Sequence, residues 1–317
     1  MGQIVLSIVI GTYNRLDVLK QCLDSLIGKI KTAHEIIVVD AGSTDGTREY
    51  LRELQGIRLV CDEGLIGQAQ SLNRVFKALD SKYVCWLSDD NIVQPGIIDL
   101  AASILEHDPK IGLISLKVKD ISGQYVTAEY LGGIWPTGVL NCNQGMLPVA
   151  LLRKMGGFDE RFRDYGIDSD LTTRVLLEGY KVVFTKPVAI YHLRDHDAAS
   201  WTDSSGRKRK MESARELYGQ KFDALTKSKN GRSYNKTVRE KSLPLKFILQ
   251  LYSGARKLGI SIQDWTGLTE RDWRNLFLAR FVSKADFLMN LKKPYYLVQS
   301  IPSSFLKELS MMPSWKE

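Results

Sequence analysis

The sequence lacks the features that mark several special classes of protein. Only four of its 317 residues are cysteines and none are spaced as CxxC, so the sequence predicts neither a zinc site nor a disulfide framework. No apolar run approaches the roughly 18 residues that span a bilayer. Residues 1–15 have neither the basic segment nor the cleavage site of a signal peptide. We therefore expect a cytoplasmic protein with buried free thiols.

Acidic residues are scarce in the last third of the chain. Residues 1–204 contain 21 Lys and Arg against 26 Asp and Glu, a net charge of −5, whereas residues 205–317 contain 23 against 10, a net charge of +13. Such asymmetry predicts two functional regions. The second region is expected to face something anionic: phospholipid head groups, nucleic acid or a phosphorylated substrate.

Strand and helix patterns alternate in the first hundred residues. Short apolar runs, each followed by apolar residues at helical spacing, occupy residues 5–10, 36–39, 59–60 and 83–87. Buried strands that alternate with helices predict an α/β domain with a mostly parallel sheet covered on both faces. Further strands are expected at residues 111–118, 181–184 and 188–191, and helices at residues 147–155, 168–178 and from residue 243 onward.

Polar clusters follow three of the predicted strands, at residues 11–15, 40–45 and 88–91. Because the carboxyl ends of parallel strands lie at one edge of a sheet, these clusters should form a single ligand-binding crevice. No G-x-G-x-x-G follows the first strand, and residues 42–47 (GSTDGT) do not match the P-loop pattern. A dinucleotide-dependent redox enzyme and a P-loop enzyme are therefore disfavoured.

Four motifs occur together in the order SIVIGTYNR (residues 7–15), VVDAGSTDGT (38–47), WLSDDN (86–91) and GGFDE (156–160). With this combination the chain resembles the family 2 glycosyltransferases over about residues 3–200. The resemblance implies a GT-A nucleotide-diphospho-sugar transferase fold. It also implies inverting transfer of a sugar from a nucleotide sugar, with a UDP-sugar favoured, to an acceptor hydroxyl. Mn²⁺ or Mg²⁺ is the implied cofactor, and a glycan or lipid-linked acceptor in polysaccharide or glycan biosynthesis is expected.

By this resemblance the donor lies against the first two polar clusters. Asp40 is the expected nucleobase-recognition residue, because a carboxylate can accept a hydrogen bond from a pyrimidine N–H. Thr12 and Tyr13 are expected along the base and ribose. Asn14 and Arg15 complete the donor cluster, with Arg15 either near a phosphate or solvated. An Asp before Ala-Gly-Ser can also serve only as a turn or helix-cap residue, so both interpretations of Asp40 remain open.

The third cluster is expected to bind the diphosphate and the metal. Asp90 matches the metal-binding aspartate of the family's D-x-D element, and Asp89 is expected to meet ribose or a metal-bound water, while Ser88 replaces the first carboxylate. His192 follows a predicted strand and is the second expected ligand, since Mn²⁺ accepts imidazole; a capping or salt-bridged histidine is the alternative. Gly67 begins a helix and would let the backbone approach the ribose or diphosphate.

The acceptor side is expected around residues 165–171 (YGIDSDL), which resemble the acceptor-side motif of the family. Inversion requires one general base that takes the hydroxyl proton, and Asp168 is the predicted base. Asp170 is expected on the acceptor side or as a helix N-terminal residue. Trp135 and Asn143 are expected to line the acceptor pocket, with core packing as the alternative for Trp135.

Two departures from the family pattern leave a second function open. Ser88 and Ile167 stand where the resemblance leads us to expect acidic residues. A GT-A-like module that binds a nucleotide sugar or glycan without turnover is therefore the alternative. A sugar nucleotidyltransferase is disfavoured because its glycine-rich, lysine-bearing loop is absent from the sequence.

We expect a catalytic domain at residues 1–204, with a donor half at about 1–118 and an acceptor half at 119–204. A basic, mainly helical region follows at 205–317, with its densest run of charge at residues 207–210 (RKRK). Peripheral contact with the anionic inner face of the cell membrane, packing onto the catalytic domain and a homo-oligomer interface are three open interpretations of this region. Nucleic acid binding is disfavoured because no recognised module accompanies the charge.

Overall fold

The computed structural model describes residues 4–121, 129–193, 204–227 and 243–311, apart from residues 267, 274–278, 280, 282–288 and 291. The strands in these ranges are β1 (Leu6–Thr12), β2 (His34–Asp40), β3 (Ile57–Cys61), β4 (Tyr83–Ser88), β5 (Asn91–Val93), β6 (Ile111–Ser115), β7 (Val118–Asp120), β8 (Gly145–Pro148), β9 (Lys181–Thr185), β10 (Ile190–His192) and β11 (Tyr295–Gln299). The helices are α1 (Leu16–Asp24), α2 (Thr47–Glu53), α3 (Gln68–Lys77), α4 (Ile97–His107), α5 (Val149–Lys154), α6 (Ile167–Leu177), α7 (Ser204–Lys221), α8 (Asp223–Lys227), α9 (Leu243–Lys257), α10 (Ile262–Thr266) and α11 (Ser303–Ser310).

The larger of two sheets has eight strands in the order β11-β9-β6-β8-β4-β1-β2-β3. Strand β1 pairs in parallel with β2 and β4, as do β2 with β3 and β6 with β9. Strand β8 is antiparallel to its neighbours β4 and β6, and β11 is antiparallel to β9. The predicted α/β fold with a mostly parallel sheet is therefore confirmed.

The uninterrupted apolar character of the central strands follows from burial on both faces. In β1, Ile8 and Ile10 belong to one hydrophobic cluster, whereas Val9 belongs to the other. Strand β2 divides in the same way, with Val38 in the first cluster and Ile37 in the second. Because successive side chains of a strand point to opposite faces, a run without polar residues fits a sheet that is covered on both sides.

The register of the parallel strands aligns their carboxyl ends. Thr12 in β1 lies opposite Asp40 in β2, and Gly11 in β1 lies opposite Ser88 in β4. The three polar clusters therefore lie side by side at one edge of the sheet, as the strand pattern predicted.

A second sheet of three strands, in the order β5-β10-β7, lies at the same edge. Its register places His192 of β10 opposite Asn91 of β5 on one side and Asp120 of β7 on the other. Since Asn91 directly follows the aspartates at the end of β4, this small sheet brings His192 to the crevice.

The segment between residues 111 and 155 differs from its predicted structure in two places. The single strand expected at residues 111–118 is divided into β6 and β7, which belong to different sheets. The helix expected from residue 147 begins at Val149, because residues 145–148 form an antiparallel strand between β4 and β6. A Cβ at Gly145 would lie 2.4 Å from the carbonyl oxygen of Ile114, so the close approach of these strands requires glycine.

The basic region continues the packing of the first 204 residues. Helix α7 contributes Ala214 and Tyr218 to the hydrophobic cluster that contains Val9, and Phe222, directly after the helix, belongs to the same cluster. Strand β11, which the sequence analysis did not predict, extends the large sheet beside β9 and buries Tyr296. Among the described residues, parts of the region after residue 204 thus pack on the first 204 residues, while membrane contact and oligomerisation stay predictions.

A buried ion cluster joins the two regions. Lys117 is 0% exposed, and its Nζ lies 2.6 Å from Glu129 Oε2 and 3.5 Å from Asp272 Oδ2. Burial raises the pKa of Asp272, an effect that the charge of Lys117 opposes. Removing one partner from a buried ion cluster typically costs about 3–5 kcal/mol, so residue 272 is bound firmly to the core of the first region.

Three of the four cysteines have the burial that the sequence predicted. Cys22, Cys85 and Cys142 are buried free thiols as expected, but Cys61 is exposed because it ends the edge strand β3. None of the described helices is long and apolar enough to cross a membrane. The helical pattern around residues 276–291 lies largely outside the described residues.

Candidate active site

An aspartate pair at the end of β4 lies at the centre of the crevice. Asp89 accepts a hydrogen bond from Thr12 Oγ1 at 2.8 Å and pairs with Arg15 Nη1 at 2.7 Å. The Arg15 guanidinium also lies 3.2 Å from Asp90 Oδ2, so one cation bridges both carboxylates. Both aspartates are buried, whereas Arg15 is half-buried. In the structure Arg15 pairs with carboxylates, and its predicted contact with a phosphate stays a prediction.

His192 joins this pair to a third carboxylate. Its Nε2 lies 3.1 Å from Asp90 Oδ2, and its Nδ1 lies 2.9 Å from Asp120 Oδ1. A carboxylate that holds one ring nitrogen fixes the orientation of the imidazole, so the other nitrogen is aimed at its ligand. Sequence analysis missed Asp120, which is 1% exposed, because its local sequence gives no sign that it pairs with residue 192 across a separate sheet.

The two aspartates of the pair have opposite pKa shifts. Burial raises the pKa of Asp89 to about 7; the charge of Arg15 opposes this shift, and the neighbouring charge of Asp90 reinforces it. Burial also acts on Asp90, but the hydrogen bond and charge of His192, together with Arg15, lower the pKa of Asp90 below its ordinary value. Asp90 is therefore the carboxylate that stays ionised at neutral pH, and the ionised form is the one that binds a cation.

Asp40 is fully buried in the turn after β2. Its carboxylate accepts hydrogen bonds from the N–H groups of Gly42 at 3.2 Å and Ser43 at 3.1 Å, and it pairs with Arg48. These contacts are those expected if Asp40 stabilises its own turn. Recognition of a nucleobase by Asp40 stays a prediction. Arg48 also donates to the carbonyl of Asp62 at 2.5 Å. Sequence analysis missed Arg48, although its place in the first turn of the helix after Asp40 was a usable signal.

Asn14 connects the first two polar clusters. Its φ of +50° lies in the left-handed region, which Asn adopts more readily than most residues. Its N–H donates to Ser43 Oγ at 2.8 Å, and its side-chain oxygen accepts from the N–H of Thr44 at 2.7 Å. The neighbouring Tyr13 is 40% exposed, so its ring is accessible to a ligand in the crevice.

Gly67 begins α3 in a close contact with another loop. Its φ is +107°, and a Cβ on it would lie 2.7 Å from Arg163 Cγ. The next N–H, of Gln68, donates to Asp164 Oδ1 at 3.0 Å. This approach requires glycine and ties α3 to the loop before α6, while the expected contact of Gly67 with the donor stays a prediction.

Asp168 lies in the first turn of α6 and is partly buried. Its Oδ2 accepts a hydrogen bond from Asn141 Nδ2, and the same amide nitrogen donates to Asn143 Oδ1 at 2.6 Å. Gln144 Nε2 from this loop lies 3.4 Å from Ser88 Oγ, so the loop connects Asp168 to the end of β4. Burial raises the pKa of Asp168 to about 6, although the hydrogen bond from Asn141 opposes the shift.

Two of the expected acceptor residues belong to the protein interior. Asp170 is 0% exposed and pairs with Arg174 at 2.7 Å and with Lys221 of α7 at 2.6 Å. Trp135 is 8% exposed and packs on Tyr218, with ring centroids 4.9 Å apart. These contacts agree with the helix-terminal alternative for Asp170 and the core-packing alternative for Trp135, while contact of either side chain with an acceptor stays a prediction. Lys221, which no local motif signalled, is a further residue that sequence reasoning missed.

The expected cation site has two protein ligands. In the ranges that the structure describes, no three His, Cys, Asp or Glu side chains form a group that could hold a metal. Asp90 and His192 nevertheless face each other at 3.1 Å and offer one carboxylate and one imidazole. Mg²⁺ is commonly bound through one or two carboxylates together with substrate phosphates and water. These donors therefore fit a divalent cation that arrives with a diphosphate, and they do not form a complete protein cage.

Part of the chain matches a known protein family. Residues 7–136 match the model of the family described as glycosyl transferase family 2, and this range contains the three polar clusters. This part of the chain is therefore similar to glycosyl transferase family 2. The resemblance found in the sequence is confirmed over this range.

Curated relatives of the chain are also glycosyltransferases by name. The uncharacterized glycosyltransferase YibD of Escherichia coli (strain K12) is 33% identical over 108 residues, which cover 32% of this chain and 31% of YibD. The poly-beta-1,6-N-acetyl-D-glucosamine synthase of Staphylococcus aureus (strain MSSA476) is 25% identical over 203 residues, or 58% of this chain and 48% of the synthase. The matches thus span between about a third and a half of these relatives.

Solved structures with a similar fold cover more of the chain. S. aureus TarS 1–349 in complex with UDP-GlcNAc has a TM-score of 0.56 at 15% identity. The match covers 92% of this chain and 88% of the TarS chain. The mannosyltransferase PcManGT from Pyrobaculum calidifontis, in complex with GDP-Man and Mn²⁺, has a TM-score of 0.53 at 18% identity, with coverage of 87% and 85%. At these identities the likeness shows the fold, and the expected GT-A fold is confirmed.

Proposed function

We propose that the protein is an inverting glycosyltransferase that moves a hexosyl unit from a nucleotide sugar to an acceptor hydroxyl in glycan biosynthesis. The observation that carries this proposal is the contrast between Asp90, whose pKa is lowered, and Asp168, whose pKa is raised to about 6. The first carboxylate is suited to binding a cation and the second to accepting a proton near neutral pH. Both roles are needed for a direct displacement at a sugar carbon.

The proposed donor is a UDP-sugar. One GT-A neighbour was solved with UDP-GlcNAc and another with GDP-Man, which supports a nucleotide sugar. We favour the uridine nucleotide because a curated relative is named for a polymer of N-acetylglucosamine. On this chain, the exposed ring of Tyr13 offers an apolar surface to the nucleobase beside the Asp40 turn.

Asp90 and His192 are the proposed ligands of Mn²⁺ or Mg²⁺. When bound, such a cation neutralises charge on the departing nucleoside diphosphate as a Lewis acid. Asp120 holds the ring of His192 in place for this contact. Arg15 already bridges the two aspartates, and its guanidinium matches phosphate oxygens as well as carboxylates. We therefore expect Arg15 to exchange one carboxylate partner for the diphosphate when the donor binds.

Asp168 is the proposed general base. Its carboxylate takes the proton of the acceptor hydroxyl while that oxygen forms a bond to the anomeric carbon from the side opposite the leaving group. The bond between the anomeric carbon and the diphosphate oxygen breaks, and its electron pair leaves with the nucleoside diphosphate. Asn141 orients the base through the hydrogen bond to Oδ2. The partly exposed Asn143 beside it is available to an acceptor glycan or lipid-linked glycan.

A nucleotide-sugar donor assay tests this function. Purified protein is incubated with UDP- and GDP-sugars in Mn²⁺ buffer, and released nucleoside diphosphate and pyrophosphate are measured separately. The proposal expects nucleoside diphosphate from one donor, through slow hydrolysis without acceptor and faster transfer with one. Donor binding without release across the whole panel would instead favour the binding module that Ser88 and Ile167 suggest. Release of pyrophosphate would identify a nucleotidyltransferase.

A further inference from the structure

Helix α9 presents large apolar side chains to solvent. Phe247 is 59% exposed, Leu251 is 48% exposed, and Leu258, the residue that follows the helix, is 77% exposed. Their spacing of four and then seven residues places them on one side of a helix with 3.6 residues per turn. Tyr252 is buried, and its hydroxyl donates to the carbonyl of Leu268 at 2.5 Å, so a different side of α9 is attached to the protein.

We call this exposed stripe, together with the 58% exposed Ile260 beyond it, the α9 face. An apolar surface of this kind on a folded protein marks an interaction site more often than isolated exposed residues do. The electrostatics around it indicate the partner.

The α9 face lies in a part of the chain that has no acidic residues. Residues 241–263 contain four Lys and Arg and no Asp or Glu. Arg256 and Lys257 are exposed at the end of the helix, next to Leu258. Arg256 lies 3.6 Å from Glu270, but an exposed pair of this kind has little energetic weight. A helix with an apolar face and basic residues lies in the plane of an anionic lipid surface, where its apolar side chains enter the headgroup boundary.

We propose that the α9 face inserts into the surface of an anionic membrane. A second copy of the chain is the less favourable occupant, because it would bring a second set of basic residues to a face whose own segment, residues 241–263, has no acidic residue to neutralise them. Anionic headgroups neutralise the same charges, so lipid satisfies both the apolar stripe and its basic border. This inference concerns residues outside the crevice and does not depend on which sugar is transferred.

The α9 face differs from the surface that the charge pattern alone suggested. The run at residues 207–210 lies on α7, where Lys208, Arg209 and Lys210 are exposed. No large apolar side chain among the described ones of α7 is exposed, so this helix offers charge without a group to insert. We therefore assign insertion to α9, with α7 limited to long-range attraction.

Flotation of the full-length protein with lipid vesicles tests the proposal. We expect no binding to vesicles of phosphatidylcholine alone, and binding that rises with added phosphatidylglycerol and falls with added salt. The double variant Phe247→Ser/Leu251→Ser should reduce the partition coefficient by roughly tenfold or more, because two inserted apolar groups are lost. The matched control is Ile27→Ser, at a 39% exposed apolar position after α1, and it should bind as the parent protein does.

Several outcomes would overturn the proposal. Full-length protein that ignores anionic vesicles at low salt would do so, as would a double variant that binds like the parent. A dimer in sedimentation velocity that the double variant dissociates would assign the α9 face to a second copy. Loss of binding only in Lys208→Gln/Arg209→Gln/Lys210→Gln would move the contact to α7.

The folded state of each variant is checked by its thermal unfolding midpoint. The positions are exposed, so the midpoint should be unchanged. If the apolar variant fails to fold, Arg256→Gln/Lys257→Gln provides the second test, since it should weaken binding to anionic vesicles about tenfold at low salt. Full binding by this charge variant would also contradict the proposal.

Discussion

The proposed donor side and the proposed acceptor side of the crevice are built in different ways. Thr12, Asp40 and Asp89 each lie at or directly after the end of a parallel strand, so the preceding strand places each of them. The acceptor side depends on contacts between distant segments: Asp168 is held by Asn141, and Asp170 is held by Lys221 from the basic region. Thr12, Asp40 and Asp89 therefore lie within the range that matches the family 2 model, whereas Asn141, Asp168 and Lys221 lie beyond it.

Replacing Asp168, the proposed base, should have the largest effect of all these changes. It should lower the rate of transfer without changing the affinity for the donor. We expect Asp168→Asn to lower the rate of sugar transfer by about 10²-fold or more, because a general base acts on the transition state. Donor affinity, measured by calorimetry, should be unchanged. Asp17→Asn, an exposed aspartate in the first turn of α1, is the control and should retain full activity. Retention of more than about a tenth of the activity by Asp168→Asn would be incompatible with its role as base.

Removing the lysine that joins the two regions should reduce stability. Lys221→Met leaves Asp159 and the buried Asp170 without an ammonium partner at 2.6 Å, although Arg174 still pairs with Asp170. We expect the free energy of unfolding to fall by about 2–3 kcal/mol in urea denaturation. Lys208→Met, which removes a lysine whose side chain is 77% exposed, should change it by less than about 0.5 kcal/mol. Equal losses for the two variants would mean that α7 does not support the acceptor side.

Asp120, the carboxylate that contacts His192, should affect metal affinity more than folding stability. We expect Asp120→Asn to weaken Mn²⁺ binding by about tenfold, because Asp120 orients the imidazole of His192. The readout is the signal of free Mn²⁺ in electron paramagnetic resonance, recorded with a nucleoside diphosphate present. Asp80→Asn, at an exposed aspartate, is the control. Unchanged Mn²⁺ affinity in Asp120→Asn would show that His192 is not a ligand or does not need this partner.

The pH dependence of transfer should be the smallest of these effects near neutrality. Asp168 must be ionised to accept a proton, and its pKa is about 6. Transfer should therefore fall to about half of its plateau at pH 6 and then about tenfold for each further unit of acidification. Initial rates between about pH 5 and pH 8 measure this profile. A rate that is constant across pH 6 would contradict the assignment of this pKa to the base.

The sequence was sufficient for the three strand ends of the proposed donor side, because each polar cluster there follows an apolar run of strand type. Gly11, Asp40 and Ser88 could be placed at one edge once the sheet was predicted to be parallel, and the register confirms this placement. Local sequence also predicted that Asp168 and Asp170 lie in the first turn of a helix. What it could not predict was that one of these two carboxylates is partly buried beside an amide, while the other is paired with a lysine in the interior.

Residues that act through long-range contacts could not be predicted from the sequence. Asp120 pairs with a histidine 72 residues later, and Lys221 pairs with an aspartate 51 residues earlier. Neither contact produces periodicity or a turn signal, so no local pattern indicates them. Strand β11 was missed for the same reason, since the strand that pairs with it ends before residue 190.

The pairing of β9 with β11 has a consequence for synthesis of the chain. Residues 181–185 leave the ribosome long before residues 295–299, which complete the edge of the large sheet. At an elongation rate of roughly 5–20 residues per second, the nascent chain carries an open strand edge for several seconds. Such an edge is a template for pairing with other chains. Messages that end early, between residues 193 and 294, should therefore yield aggregates, and full-length chains should depend on chaperones while they are being translated.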